Sequence, residues 1–235
     1  MSNGMKWLGL APLIGVVCYL TFAWAFPTVT ARYRFTIELS IDGQPVSGSG
    51  VIEVKRADTT AIGAMGGYGA TITGEAIVVD LGPRGQLFAL LRGGDLGLPE
   101  GRGFPANIVL EAFADRLDAR ASVIDKMRTL NRLRPKAEIS RTLLPMLVRF
   151  RDTRDPRTVE KIDPTDLDAA FGPRVSLRTV TIEILSDPVT TGIDRWLPWL
   201  GDLEKRGGAL DGTRFPNTNN LSSNLGSLAF RRRGV

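Results

Sequence analysis

The chain contains no histidine. Without an imidazole, Ser-His-Asp and Cys-His catalysis are excluded, as are histidine-ligated metal sites and the usual proton shuttle near neutral pH. The single cysteine, Cys18, lies inside an apolar run, so disulfides give neither stability nor evidence of a compartment. A catalytic mechanism would depend on carboxylates, lysine, serine or tyrosine. These absences favour a protein that is not an enzyme and that has no cofactor or metal.

Two sets of polar residues still have the chemistry for catalysis or metal binding. A serine–lysine dyad, which suits a membrane-bound hydrolase, would combine Lys55 with Ser47 or Ser49. A hard cation would be bound by one of two carboxylate pairs, namely Asp152 with Asp155 or Asp163 with Asp166. Neither spacing is specific, because a polar hairpin edge explains the dyad, and neighbouring arginines or a helix start explain the carboxylates. A tethered hydrolase is the least favoured function.

The clearest signal is a run of twenty consecutive uncharged residues, WLGLAPLIGVVCYLTFAWAF, at positions 7–26. At 1.5 Å per residue, a helix of this length crosses a hydrocarbon core of about 30 Å. Aromatic residues suited to the bilayer interface lie toward its ends, among them Trp7, Tyr19 and Trp24. Small residues allow close packing against another helix, namely Gly9, Ala11 and Gly15. We expect an N-terminal tail at 1–6 and a transmembrane helix at 7–26.

The alternative to an anchor is a cleaved signal peptide, with Lys6 in its positive region and Ala23-Trp24-Ala25 as the cleavage site. The apolar run exceeds the length usual for such a peptide, and a tryptophan next to the cleavage point is unusual, so the anchor is favoured. The positive charges that flank the apolar run are nearly equal in number on its two sides. Long domains translocate largely regardless of charge, which favours a single-pass protein of the bacterial inner membrane with most of the chain in the periplasm.

The rest of the chain has an ordinary globular composition, 43% apolar and 23% charged over the whole sequence. Alternating residues at 33–41, the dipeptide Asp42-Gly43 and apolar residues at 50–55 predict a hairpin, whose loop we expect to exceed two residues because Gln44-Pro45 follows. Apolar runs at 75–81 and 86–92 predict a second hairpin, central in its sheet and covered on both faces.

Further elements are expected downstream. Apolar residues at spacings of three and four from Asn107 to Leu130 predict one amphipathic helix of about two dozen residues that covers the sheet. Asp163 is expected to cap a short helix that ends at Gly172. Strands are expected at 143–151 and 174–185, the latter with a bulge near Arg178, where its apolar phase changes. The prediction is an α+β domain at 27–206, with a mainly antiparallel sheet, and an irregular tail at 207–235.

The net charge of +5 is unevenly distributed. Residues 126–161 hold eleven Lys or Arg and four Asp or Glu, which suits anionic lipid head groups or an acidic partner. Nucleic acid is not an expected partner, because aromatic residues do not interleave with the basic ones. Candidate partner-binding residues are those of the tryptophan cluster and of the basic C-terminus, Trp196, Trp199, Arg231, Arg232 and Arg233. The two tryptophans fit an interface or a fold-back onto the core.

Several stretches resemble a group of uncharacterised bacterial proteins that begin with an apolar segment. They are 33–55, GEAIVVDL, LFALLRG, IDPTDLDAAFGPRVSLRTVTIEI, VTTGI and LPWL. This resemblance implies a bacterial origin and no activity. We expect a non-enzymatic accessory or structural subunit of an inner-membrane complex, in contact with lipids and other membrane subunits. The alternative is a periplasmic, membrane-tethered module that binds an anionic ligand or a lipid head group.

Overall fold

A computed structural model describes residues 27–58, 68–94, 103–214 and 220–234. In these ranges no helix has the length and apolar character needed to cross a bilayer. The predicted tail and transmembrane helix, with all six anchor residues, lie outside the described residues. The Gly-rich stretches at 59–67 and 95–102 also lie outside them.

The first hairpin is formed by β1 (Thr28–Ile41) and β2 (Gln44–Asp58), which pair antiparallel along their whole length. Ile41 faces Gln44, so the loop has only two residues, which corrects the longer loop expected from the sequence. Asp42 and Gly43 have φ of 52° and 83°. Positive φ at both positions defines the tight turn whose twist matches paired strands, and the following Gln44-Pro45 therefore belongs to β2.

Sheet A has six strands in the order β10-β3-β2-β1-β9-β6, and all its pairs are antiparallel. The four further strands are β3 (Tyr68–Glu75), β6 (Lys136–Glu138), β9 (Val175–Leu185) and β10 (Arg231–Arg233). Between β1 and β9 the register shifts, since Glu38 faces Thr179 and Leu39 faces Leu177. Arg178 is the extra residue, which confirms the predicted bulge.

Sheet B has four strands in the order β4-β5-β7-β8. They are β4 (Ile77–Asp80), β5 (Gln86–Gly93), β7 (Pro145–Phe150) and β8 (Val159–Lys161). The second hairpin is confirmed as β4 and β5. The prediction that both strands are central in the sheet is correct for β5, in which residues 87–91 are all buried. It is wrong for β4, which is the edge strand.

Core 1 lies between the two sheets. Sheet A contributes alternate residues of β1, among them Tyr33 and Phe35, and sheet B contributes Val79 and Leu87. At one edge the sheets meet directly, since a Cβ on Gly48 of β2 would lie 2.1 Å from the carbonyl oxygen of Val78 in β4. Only glycine fits this approach.

The prediction of one long helix is wrong. The segment forms α1 (Ile108–Ala112), a 3₁₀ turn at 114–116 and α2 (Val123–Leu133). Leu117 is extended, and the Ser122 side chain accepts a hydrogen bond from the Asp125 amide, so Ser122 caps a new helix. Apolar residues on both pieces remain in core 1, which explains why the periodicity continued across the break.

A third short helix, α3 (Leu167–Phe171), packs against core 1 and ends at Gly172 as predicted. Its N-cap is Asp166, whose carboxylate accepts from the Ala169 amide. The prediction that Asp163 is the cap is therefore wrong. Asp163 instead forms a turn with Thr165, and the helix begins one turn later.

The C-terminal layer, residues 187–214 and 220–234, covers the other face of sheet B. It contains α4 (Leu200–Arg206), α5 (Leu221–Asn224) and β10. Core 2 lies beneath it and joins Phe88 and Phe150 of sheet B to Leu200, Leu225 and Phe230. The described part of 207–235 is thus ordered structure that pairs with β3, which corrects the expectation of an irregular tail.

Candidate functional site

The serine–lysine dyad is not assembled. Ser47, Ser49 and Lys55 all lie exposed on β2. Ser49 and Lys55 are six residues apart on this extended strand, a separation of about 20 Å. No hydroxyl and amine of this set can exchange a proton directly at such a distance.

The carboxylates of the first candidate metal pair take part in local turns. Asp155 forms an ion pair with Arg157, and Asp152 accepts a hydrogen bond of 2.9 Å from the Arg154 amide. Hydrogen bonds from the Arg157 side chain and amide lower the pKa of Asp155 below its ordinary value. Both acids therefore have structural partners.

The second carboxylate pair is similar. Asp163 accepts from the Thr165 hydroxyl at 2.7 Å and the Thr165 amide at 2.8 Å, and both bonds lower its pKa. Asp166 caps α3. Within the described parts of the chain, no three Asp, Glu or Cys side chains are grouped so that they could hold a metal ion.

Both candidate tryptophans pack against core 2 and are half-buried. The Trp199 ring makes edge contacts with Phe150 and Phe230, at centroid distances of 5.6 and 5.7 Å, and its Nε1 donates to the Thr153 carbonyl at 2.8 Å. Trp196 lies under the Arg195 guanidinium, and its buried Nε1 has no hydrogen-bond partner among the described residues. Their role in partner binding stays a prediction, and Trp199 already has internal contacts.

Arg231 is a buried residue with only 6% of its side chain exposed. Its Nε donates to Glu75 at 2.8 Å, its Nη1 lies 3.2 Å from Glu204, and its Nη2 pairs with Asp194. Burial would lower its pKa, but the hydrogen bonds and charges of Asp194 and Glu75 raise it overall. This burial removes Arg231 from any exposed partner surface and corrects its assignment as a partner-binding residue.

The two following arginines differ from Arg231 and from each other. Arg232 donates to the carbonyls of Leu228 and Leu91, both at 3.2 Å, and burial lowers its pKa. Arg233 is 65% exposed and pairs with Glu204 at 3.0 Å. Of the three, Arg233 has the exposure that a partner contact requires.

The anchor-proximal end of the domain is where the chain enters β1 from the predicted anchor. The Pro27 carbonyl accepts a hydrogen bond of 3.0 Å from the Asp58 amide, and Thr28 faces Ala57 at the end of β2. The first described residue of the domain is therefore fixed to the sheet.

Helix α2 ends at this same end of the domain. The Asn131 side chain donates to the Thr30 carbonyl at 2.8 Å, and the Arg134 side chain donates to the Ser186 hydroxyl at 2.9 Å. A cavity of about 280 Å³ lies between them, with Arg32 and Leu185 in its wall. The end of α2 is thus attached to both β1 and the residue after β9.

The Arg132–Lys136 segment forms the outermost part of this end. Arg132, Leu133, Arg134 and Lys136 are exposed, and Leu133 shows 53% of its surface to solvent. Pro135 is buried, and its carbonyl accepts from the Ile184 amide at 2.9 Å. The segment therefore presents three cations around one leucine on a fixed backbone.

The basic region predicted at 126–161 is divided by the fold. Arg149 and Arg151 both pair with Glu160, at 2.7 and 3.0 Å, so these two cations share one carboxylate. Sequence reasoning identified the charge but not this division. Leu133 could have been recognised by its phase, since nine residues at about 100° each place it on the side of α2 opposite the buried Ile124.

A second polar cleft, of about 490 Å³, lies between the 151–158 loop and the C-terminal layer. Arg154, Arg157 and Arg206 line it, together with three aspartates, Asp152, Asp155 and Asp211. Hydrogen bonds from Thr213 lower the pKa of Asp211. The three guanidinium groups are matched in number by three carboxylates, and Arg157 is paired with Asp155.

Comparisons with protein-family models, with curated proteins and with solved structures find no match for the chain. No residue role is therefore transferred from a relative, and the resemblance to uncharacterised bacterial proteins stays a prediction.

Proposed function

We propose that the chain is a non-enzymatic, single-pass protein of the bacterial inner membrane, an accessory subunit of a membrane complex with its α+β domain in the periplasm. The observation that carries the proposal is that the sheet begins at Thr28, directly after the predicted anchor at 7–26. Pro27 alone stands between position 26 and β1, and its carbonyl is bonded to the Asp58 amide.

This short connection supports one orientation of the domain at the membrane. Flexible linkers allow a tethered domain to reorient, whereas a hydrogen-bonded strand directly after the predicted anchor supports an orientation with the anchor-proximal end toward the bilayer. That end has the exposed cations of the Arg132–Lys136 segment. Anionic head groups attract such cations within a Debye length, so the charge supports the same orientation.

A subunit role without catalysis is supported by the state of the candidate groups. The dyad residues are separated along β2, and the candidate carboxylates are engaged in turns, a cap or an ion pair. Contacts with other subunits would come from the anchor helix, through its small residues Gly9, Ala11 and Gly15, and from exposed parts of the C-terminal layer, including Arg233.

Two experiments test the proposal: extraction of the membranes, and labelling of a single cysteine by a reagent that does not cross the inner membrane. Full-length protein should stay with the membranes through an alkaline carbonate wash. Because Cys18 is the only cysteine, a Cys18→Ser, Leu228→Cys variant can be labelled at a single exposed site. A membrane-impermeant maleimide should label it in intact cells with a permeabilised outer membrane. Release by carbonate, or labelling only after inner-membrane lysis, would contradict the proposed attachment or orientation.

A second candidate function is a tethered module that binds an anionic ligand, and the arginine-lined cleft favours it. Inorganic phosphate, titrated calorimetrically into the full chain in detergent, is a suitable probe. Binding that weakens in Arg206→Gln and is retained in Arg178→Gln would support this function. Arg178 is the control because it lies in the bulge of β9, away from the cleft. No heat of binding would contradict a phosphate site.

A further inference from the structure

We propose that the Arg132–Lys136 segment is a lipid-contacting surface that inserts Leu133 at the bilayer interface and binds lipid phosphates through Arg132, Arg134 and Lys136. The proposal rests on the membrane attachment proposed above. It adds a second contact with the bilayer, made by the domain itself. The partner is the surface of an anionic bilayer.

The first observation is the exposure of an apolar side chain among cations. Leu133 is 53% exposed, and only one other large apolar residue in the described ranges, Leu228, is also exposed. The two leucines have different neighbours. Leu133 lies between Arg132 and Arg134, whereas Leu228 lies between Ser227 and Ala229. Apolar side chains flanked by Lys or Arg are characteristic of surfaces that bind at the head-group and acyl boundary.

The second observation is the position of the segment. Asn131 is bonded to the carbonyl of Thr30, which lies three residues after Pro27. Three extended residues span about 10 Å. The Asn131 side chain therefore contacts β1 about 10 Å along the strand from the point where the chain leaves for the predicted anchor. With the predicted anchor crossing the bilayer at 7–26, the membrane surface lies on this side of the domain. Lys136 is the member of the segment farther from it, because it faces Glu183, which in turn faces Arg34, six residues after Thr28.

The third observation is that the backbone of the segment is held in place. Arg134 caps α2 with φ of 47°, and its amide donates to the Leu130 carbonyl at 2.8 Å. Its side chain is bonded to Ser186, and Pro135 is bonded to β9 through Ile184. The exposed side chains thus project from a fixed framework, which lowers the ordering cost of binding.

Fluorescence quenching of the full chain in vesicles tests the proposal. Leu133→Cys is made in a Cys18→Ser background, labelled with an environment-sensitive fluorophore, and reconstituted in phosphatidylcholine vesicles containing phosphatidylglycerol. Some of the lipid has a nitroxide near the head group. We expect a blue-shifted emission and loss of most of the fluorescence at position 133. Leu228→Cys, the matched exposed leucine, should keep an aqueous emission and most of its intensity.

Charge dependence is tested in the labelled Leu133→Cys protein. Arg132→Gln should reduce quenching in vesicles with phosphatidylglycerol. Arg128→Gln is the control, since it removes the same charge from the same helix one turn earlier, where Arg128 pairs with Asp125. Equal effects of the two substitutions would overturn the role of Arg132 in binding phosphate.

The outcomes separate this inference from the proposed function. If the protein resists carbonate extraction but position 133 is no more quenched than position 228, the lipid-contacting surface is overturned and the membrane attachment stands. If carbonate releases the protein, both are overturned. Quenching in vesicles free of other proteins excludes a protein partner as the explanation, because none is present.

Discussion

Arg231 and Glu75 are separated by 156 positions in the chain, yet their side chains lie 2.8 Å apart in the same buried ion pair. Glu75 also accepts from the Ile193 amide at 2.9 Å. The pair joins β10 to the end of β3 and fixes the C-terminal layer over core 2. The last strand is therefore part of the fold of the domain.

Replacing Arg231 by methionine should destabilise the domain by about 3–5 kcal/mol, because removing one partner leaves the carboxylate of Glu75 uncompensated, and that side chain is only 9% exposed. Urea unfolding of the full chain in mild detergent measures the change. Arg233→Gln is the matched control. Arg233 is 65% exposed, so its loss should cost no more than about 1 kcal/mol. Equal losses would show that the buried ion pair does not stabilise the C-terminal layer.

Gly48→Ala should destabilise the domain by about 1–3 kcal/mol, the usual cost of forcing extra volume into a packed site. Its new Cβ would overlap the backbone of Val78, where sheets A and B meet. Gly69→Ala changes the same residue type in β3, where a Cβ meets nothing within 4 Å, and should stay within about 0.5 kcal/mol of the parent. Thermal unfolding of both variants tests this account of the edge. An unchanged stability in Gly48→Ala would contradict it.

Tyr33→Phe should change how stability depends on pH. Tyr33 is fully buried, its hydroxyl donates to the Pro105 carbonyl at 2.9 Å, and burial raises its pKa well above the ordinary value. Its contribution to stability is fully present below the ordinary pKa of about 10. It is lost as pH rises from there through the folded pKa, because the unfolded state ionises first.

At neutral pH the Tyr33→Phe variant should therefore be less stable by about 1 kcal/mol, the net value of one hydrogen bond. Above the ordinary tyrosine pKa the difference should shrink and then reverse. Urea unfolding across an alkaline pH series checks this, with the parent chain as the reference for all other titrating groups. A constant difference at every pH would contradict the buried, neutral state of Tyr33.

Replacing each of the two tryptophans by phenylalanine should change the stability of the domain by different amounts. Trp199→Phe removes a hydrogen bond to Thr153 and weakens contacts with Phe150 and Phe230, so we expect a loss of about 1–2 kcal/mol. Trp196→Phe removes a buried N–H that has no hydrogen-bond partner in the part of the chain that the structure describes, which offsets the lost ring area and leaves stability within about 1 kcal/mol. Unfolding measurements on both variants test these expectations. A larger loss of stability for Trp196→Phe than for Trp199→Phe would contradict them.

The sequence predicted the parts of the fold that have a strong local signal. Alternation at 33–41 identified β1, and the change of apolar phase near Arg178 located the bulge in β9. The two-residue turn was missed because Gln44-Pro45 suggested a longer loop. The helix break was missed because Ser122 is a polar residue in a continuous periodic pattern, and only its cap geometry marks a new start.

Other features depend on contacts between distant residues. Strands β6, β8 and β10 have three residues each, too few for a periodic pattern. The burial of Arg231 depends on three acids from other elements, so its charge alone suggested an exposed surface. The candidate lipid-contacting surface combines a sequence signal, the basic region, with a placement beside β1 that only the fold provides.

The central claim, that this chain is a membrane-anchored accessory subunit, is tested most directly by native gel electrophoresis. Full-length protein is extracted from native membranes in mild detergent, and its band is analysed by mass spectrometry. A matched variant replaces the small anchor residues Gly9, Ala11 and Gly15 by leucine. We predict a large band with defined companion subunits, which the variant loses while it stays in the membrane. Migration of the parent protein alone, as a monomer or small homo-oligomer, would contradict the claim.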